Sequence, residues 1–253
     1  MLMLIQRRIY QYMLCVFLSA VTLIPVSSFA SVTMVGSRVI YPSDARSVDV
    51  QLKNNDAIPY VIQTWFDDGD ANSQPQMKSD VPFISNPPVF RVQPKAGQVF
   101  RIIFNDTKKL PADRETMYWF NTLQIPPSNL AAGKSNAMLV MLRNRVKVFY
   151  RPVAIGKPTN ILTGLQAEKV VDAKKGYGVK IKNPQPWYAS LTQIVLSEGG
   201  RNIVIPADTI SPFSEGTFWL PGSKKMITGE IEASVTAIND QGARVSEKIK
   251  IKF

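Results

Sequence analysis

Histidine is absent from the 253 residues, and cysteine occurs once, at Cys15. The first absence removes the side chain that most often shuttles protons near neutral pH and most often binds metal. Together the two absences exclude a zinc site of ordinary type, a Ser-His-Asp triad and a Cys-His pair. Catalysis would have to rest on a carboxylate pair or a Ser-Lys arrangement, and no motif for either is present, so the sequence predicts neither an enzyme nor a cofactor. Long apolar runs are scarce too. The one near the start, "QRRIYQYMLCVFLSAVTLIPVSSFA", has basic Arg7 and Arg8, an apolar stretch from about Met13 to Val26, and small residues at Ser28 and Ala30. That is the layout of a secretory signal peptide, residues 1–30, cleaved after Ala30. The stretch is short for a bilayer span, so no membrane insertion is expected after cleavage. Cys15 lies inside the signal without a lipobox, which leaves an exported chain that can form no disulfide.

Acidic residues are also in short supply: 30 Lys and Arg stand against 19 Asp and Glu, for a net charge of +11. The signal holds Arg7, Arg8 and no acid, so its removal lowers this by two, to +9. The cations are scattered along strand-like segments instead of being interleaved with aromatics in a patch, which argues against nucleic acid and for an acidic or carboxylate-bearing protein partner. The clearest case is "AMLVMLRNRVKVFYRP" from Ala137, where Arg143, Arg145 and Lys147 recur at every second position of an otherwise apolar strand. One acidic cluster exists, Asp67, Asp68 and Asp70 in "FDDGD". It lacks the twelve-residue calcium-loop spacing and the closing Glu, and reads as a hairpin turn.

The exported part, about 220 residues, is long enough to bury a core without staples. It is a succession of short strand candidates separated by Gly, Pro, Asn and Asp. "SVDVQLKN" from Ser47 alternates apolar and polar, and "PYVIQTWF", "GQVFRIIFN" and "TMYWFNTLQIP" are rich in β-branched and aromatic residues. Regularly spaced strands without helical periodicity predict an all-β sandwich. After "FYRPVAIGKPTN" a second strand series begins, so two sandwiches are expected, residues 31–153 and 158–253, joined by a short proline-bearing link with a cleft between them.

At this point the residues resemble a known family, the periplasmic chaperones of usher-dependent pilus assembly. The strongest likeness is "LPADRETMYWFNTLQIPP", Leu110 to Pro127, which follows the family signature except at Thr122, where an aliphatic residue is favoured. "GSRVIYP" at Gly36, "PFISNPPVFRVQPKAGQVFRI" at Pro82, "KVFYRP" at Lys147, "NPQPWY", "ISPFS" and "AINDQGA" are similar to further family landmarks, in the family's order. The resemblance implies two immunoglobulin-like domains in an L or boomerang arrangement. It also implies a chaperone in the periplasm that binds, folds and caps pilin-type subunits lacking their last strand, delivers them to an outer-membrane usher, and can cap itself by forming a homo-oligomer when no subunit is present.

The resemblance also implies residue roles. Arg38 and Lys147 would anchor a subunit's C-terminal carboxylate, two cations relieved of their mutual repulsion by charge-assisted hydrogen bonds. Met138, Val140 and Leu142 would enter the subunit groove as a donor strand. Ala137, Leu139 and Met141 make the opposite face apolar as well. Because Lys147 and the donor residues differ in parity, a β-bulge is expected between Leu142 and Lys147. Glu115, Arg151 and Asp240 would form an ion network fixing the angle between domains. The short connection "SNLAAGKS", Ser128 to Ser135, is similar to the short-loop group of the family, typical of rigid rods. A competing reading, a secreted two-domain adhesin or carbohydrate-binding protein, would use Trp65, Trp119, Trp187 and Trp219 as sugar platforms, although strand positions favour a core role for them.

Overall fold

The computed structural model describes residues 31–128, 138–198, 201–222 and 230–252, together with residue 13. The rest of the signal segment and the connection from 129 to 137 therefore lie outside the described residues. The chain divides into Met1–Ser31 and Val32–Phe253, and the strands occupy the second unit.

The first half of that unit holds β1 (Val32–Met34), β2 (Arg38–Pro42), β3 (Val48–Asn54), β4 (Tyr60–Asp67), β5 (Phe83–Asn86), β6 (Val89–Val92), β7 (Gly97–Phe104), β8 (Thr116–Ile125) and β9 (Leu142–Arg151). They form two sheets, ordered β1-β3-β7-β5 and β2-β9-β8-β4-β6. Pro87 and Pro88 have no N–H to extend the β5 ladder, and there the chain leaves one sheet and enters the other as β6. Alternation along the strands sends Ile62, Phe66, Phe83, Phe100, Tyr118, Phe120 and Val148 into a core rich in aromatic side chains. Thr122, the departure from the signature, is buried on the core face of β8.

The second half holds β10 (Gln166–Asp172), β11 (Gly176–Asn183), β12 (Ala189–Glu198), β13 (Arg201–Pro206), β14 (Thr209–Ile210), β15 (Ser214–Trp219), β16 (Glu230–Ile238) and β17 (Arg244–Lys252). One sheet runs β10-β11-β15 and the other β13-β12-β16-β17, with β14 on β12. Their shared core is aliphatic and includes Val179, Ile181, Leu191, Ile194, Leu196, Val235 and Ile251. The all-β, two-sandwich expectation is thus met, with a separate core in each half.

One expectation needs correction. "FDDGD" is a turn but not a hairpin, because β4 and β5 belong to different sheets. Asp67 Oδ1 accepts the Gly69 N–H at 2.9 Å and Asp70 Oδ1 the Asn72 N–H at 2.8 Å, so both carboxylates are used locally. Among the described residues no group of three or more metal-ligating acids is present. The core role favoured for the tryptophans is met at Trp187, which packs against the core of the second half, although all four are half-buried and none is fully enclosed. Trp65 and Trp119 share the parity of Asp67 and Asn121 and lie on the outer face of their sheet, opposite Phe66 and Phe120.

Candidate functional site: the seam between the sandwiches and the free edge of β9

β2 and β9 pair in parallel, with Arg38 opposite Lys147 and Pro42 opposite Arg151. This register brings Arg38 and Lys147 side by side at the point where β2 begins. Both reach toward the second sandwich: Arg38 Nη1 donates to the Ile238 carbonyl at 2.9 Å, and Lys147 Nζ donates to Thr209 Oγ1. Neither cation is comfortable. Burial lowers the pKa of Arg38 against the attraction of Asp240 and Glu115, and its Nε is buried without an acceptor. Burial also lowers the pKa of Lys147, and Arg38 adds to the effect against the opposing pull of Asp208. Two desolvated cations on adjacent strands, one with an unanswered donor, would be relieved by an anion.

Four residues further along β9, Arg151 closes the seam. Its Nε donates to Glu115 Oε1 at 2.6 Å, and Nη1 and Nη2 donate to Asp240 Oδ2 and Oδ1 at 2.6 and 2.9 Å. Glu115 Oε2 accepts the Tyr188 N–H at 2.8 Å, and the Glu115 N–H donates to the Pro186 carbonyl at 2.9 Å. The three charged residues named from the sequence therefore meet, with Glu115 and Arg151 buried. Burial pulls the Arg151 pKa down, but the hydrogen bonds and charges of Asp240 and Glu115 more than offset it, and the pKa is raised. Asp240 is presented by a tight turn in which Gly242 N donates to Asn239 O at 3.0 Å and Ala243 N to Asn239 Oδ1 at 2.8 Å. Gly242 has φ of 83°, and a Cβ there would stand 2.7 Å from Ser37 Oγ. A cavity of about 340 Å³ behind the seam is lined by Arg38, Glu115, Phe149, Arg151, Tyr188 and Asp240, among others.

The expected bulge between Leu142 and Lys147 is not there. β9 pairs with β8 without a register shift from Gln124↔Leu142 to Thr116↔Tyr150. Continuous alternation puts Val146, Val148 and Tyr150 toward the sandwich core and Arg143, Arg145, Lys147 and Arg151 on the outer face. Leu142 belongs to the core parity, but here β9 has run past the end of the core, and its side chain is 47% exposed. Met138, Leu139, Val140 and Met141 lie upstream of the ladder and are all exposed, Met138 at 87%. Ala137 is outside the described residues. Five apolar side chains in a row thus face solvent, next to a strand edge that β2 does not cover.

The cationic row also divides differently from the expectation that it awaits a partner. Arg143 lies over the Trp65 ring at 4.9 Å and Arg145 over Trp119 at 4.0 Å, while Lys147 lies 5.4 Å from Trp119. Asp67, 2% exposed, accepts from Arg145 Nε at 3.1 Å and from Asn121 Nδ2 at 2.7 Å. Arg143 and Arg145 are therefore engaged within the sandwich, and Lys147 is the member of the row that reaches the second domain. Sequence reasoning passed over Thr209 and Asn121, and gave Asp67 to a turn only. Nothing local marks Thr209, but "TWFD" and "YWFN" do carry an aromatic and an acid or amide at the same parity on neighbouring strands.

Residues 31–156 match the family model described as "Pili and flagellar-assembly chaperone, PapD N-terminal domain", and residues 163–249 match "Pili assembly chaperone PapD, C-terminal domain". The probable fimbrial chaperone YadV of Escherichia coli K12 is 34% identical over 231 residues, which is 89% of this chain and 92% of that one. The chaperone protein FimB/FhaD of Bordetella pertussis is 35% identical over 217 residues, 84% and 85% of the two chains. Among solved structures, that of the YadV chaperone has a TM-score of 0.74 at 31% identity and covers 87% of this chain and 100% of its own. A chain from Salmonella enterica SafA pilin in complex with the SafB chaperone has a TM-score of 0.70 at 25% identity, covering 90% and 99%.

Proposed function

This chain belongs to the pili assembly chaperones of the chaperone-usher pathway, and from that premise we propose that it captures pilin-type subunits by lending them a strand. The observation that carries this reading is the coincidence of two features on β9. The paired cations Arg38 and Lys147 sit where β2 begins, and immediately upstream the same edge of β9 is uncovered. A client whose C-terminal carboxylate binds the two cations can lay its last strand along Leu142 to Val146, in line with β2. Its chain then runs from the level of Leu142 toward that of Lys147, parallel to β9. Main-chain hydrogen bonds supply affinity along the edge, and the carboxylate fixes the register.

With no bulge between Leu142 and Lys147, the anchor and Leu142 lie on opposite faces of β9. Prolonging the alternation upstream would place Val140 and Met138 on the face of Leu142, continuous with Val146 and Val148. The client groove would close on that face, extending the chaperone's own core line into the guest. This supports Met138, Val140 and Leu142 as donors, with Glu115, Arg151 and Asp240 holding the second domain against the anchor. In this reading residues 1–30 are removed on export to the periplasm, residues 31–153 and 158–253 are the two domains, loaded subunits pass to an outer-membrane usher, and the exposed segment lets a second copy cap the free protein. Among the described residues no helix is long and apolar enough to cross a membrane.

The test is retention of periplasmic proteins by the full-length exported chain and by Lys147→Ala, with bound proteins identified by mass spectrometry. A small β-rich secreted protein kept by the wild type and lost by the variant is the expected result. The same proteins on both baits, or none on either, would overturn the carboxylate anchor.

A further inference from the structure

The free edge of β9 poses a mechanical problem. Among the described residues its first positions have a strand neighbour on one side only, β8, and Leu142 and Asn144 project past the end of the core, so neither a second described ladder nor apolar packing keeps them extended. Strand ends in that condition fray, and a frayed edge must be ordered again each time it receives a partner strand. Yet the ladder to β8 is continuous up to Leu142.

What supports it is on the outer face. Arg143 donates through Nε and Nη2 to Asn121 Oδ1 at 3.0 and 2.7 Å, through Nη1 to the Ala71 carbonyl at 2.8 Å, and through Nη2 to Ser73 Oγ at 3.2 Å. Trp65 Nε1 donates to the same Ser73 Oγ at 3.1 Å, and that hydroxyl donates on to Asp67 Oδ2 at 3.2 Å. Arg145 is held on Asp67 through both Nε and Nη2. Asn121, Asp67 and Ser73 are 0%, 2% and 8% exposed, so this is a closed polar cluster with a tryptophan ring under each guanidinium. Arginine suits the position because its planar fork can stack and donate at once.

We propose that the Trp65–Arg143 and Trp119–Arg145 stacks, cross-tied by Asp67 and Asn121, are a rib that keeps the uncovered edge of β9 extended and in register for an incoming strand. Arg143, Arg145 and Asp67 are then positioning residues for capture, acting through the backbone they hold and not by contact with the client carboxylate. The rib also ends on the anchor, since Lys147 shares the Trp119 ring with Arg145. This inference rests on the strand-lending reading for its purpose, but the state of the edge can be measured without a client.

Two measurements separate the two ideas. The first is amide hydrogen exchange of the free full-length exported chain for wild type, Arg145→Met, Arg145→Lys and Asp67→Asn. Exchange at Arg143 to Val146 should quicken at least tenfold in Arg145→Met and Asp67→Asn and less in Arg145→Lys, while Val148 and Phe149, paired on both sides, stay as in the wild type. The second is the rate at which periplasmic proteins captured by each variant dissociate, with Lys147→Ala alongside. Arg145→Met should release them at least tenfold faster than wild type yet still lose capture altogether when Lys147→Ala is added. Unchanged exchange at Arg143 to Val146, or quickening spread evenly to Val148 and Phe149, overturns the rib. Normal dissociation from a chain whose edge has loosened overturns its role in capture. Capture indifferent to Lys147→Ala overturns the strand-lending reading and leaves the exchange result to stand or fall alone.

Discussion

Lys147 is charged at a cost: burial and the neighbouring Arg38 both lower its pKa. A carboxylate arriving between the two cations would raise it again, so the bound state holds the proton more tightly than the free state. The sign follows. Client affinity is constant while Lys147 is protonated in the free protein and falls as the pH rises through its lowered value, which isothermal titration across alkaline pH would register together with proton uptake on binding. An affinity flat to the ordinary lysine range would show that Lys147 is not the anchor. Asp67 behaves in the opposite sense. Burial opposes its charged form, but hydrogen bonds from Arg145, Asn121 and the Gly69 N–H outweigh that and lower its pKa. A depressed carboxyl contributes stability that is present above about pH 4, the ordinary aspartate value, and is lost as the pH falls through the folded one. The charged groups facing it are Arg143 and Arg145. Asp67→Asn should therefore flatten the acid limb of the melting temperature against pH, and an unaltered limb would mean that the ion cluster is not coupled to folding.

At the scale of the strand, alternation decides which side chains serve the client. Met138, Val140 and Leu142 are exposed in the free chain, so serine at any of them should leave stability within about 0.5 kcal/mol. Burial in a client would be lost, at about 1.5 to 3 kcal/mol per side chain, or at least tenfold in affinity. Leu139→Ser and Met141→Ser, on the other parity, should matter less; equal losses at Val140 and Met141 would refute the face assignment. Much of this element was legible in advance. The run from Ala137 reads as a strand with two apolar faces, but the strand begins only at Leu142; the nearness of Arg38 and Lys147 followed from motif position. The unbroken register was not legible, because nothing in the sequence states where the sandwich core ends under β9, and that end, not a bulge, is what frees Leu142. The fate of Arg143 and Arg145 was hidden for a similar reason: their partners lie on β4 and β8, and cross-strand neighbours become visible only once register is known. The Asp240 turn shows the converse. Its glycine reads locally as a turn residue, and Gly242→Ala should be costly twice over, through strain at positive φ and through the approach to Ser37. A lowered melting temperature with weakened client capture is the expected outcome, and a neutral effect would show that the turn yields easily.

For the whole molecule, the question is what holds the second sandwich against the anchor. The described contacts at the seam include the Phe149–Tyr188 ring pair at 5.5 Å and Arg114 over the Phe213 ring at 4.9 Å, and Arg151 bridges Glu115 of one half to Asp240 of the other. A buried ion pair of this kind is weak evidence for stability, since the desolvation of its members consumes much of the attraction, but breaking it from one side strands a buried charge at a cost of about 3 to 5 kcal/mol. Arg151→Ala should thus lower the melting temperature and loosen the seam, and a loosened seam carries Thr209 and Ile238 away from Lys147 and Arg38. Stability and geometry can be separated by neutralising the network instead of breaking it. In Glu115→Leu with Arg151→Met no charge is stranded between the two, so stability should largely return, whereas Asp240 has lost its bidentate partner and the ionic tie between the halves is gone. Small-angle scattering should then show a broader distribution of interdomain distances for the double variant than for wild type, and client capture should remain weak although the protein melts normally. Full recovery of capture with recovered stability would mean that the network serves folding alone and that the anchor is aligned by contacts the double variant keeps, such as the Glu115 N–H to the Pro186 carbonyl.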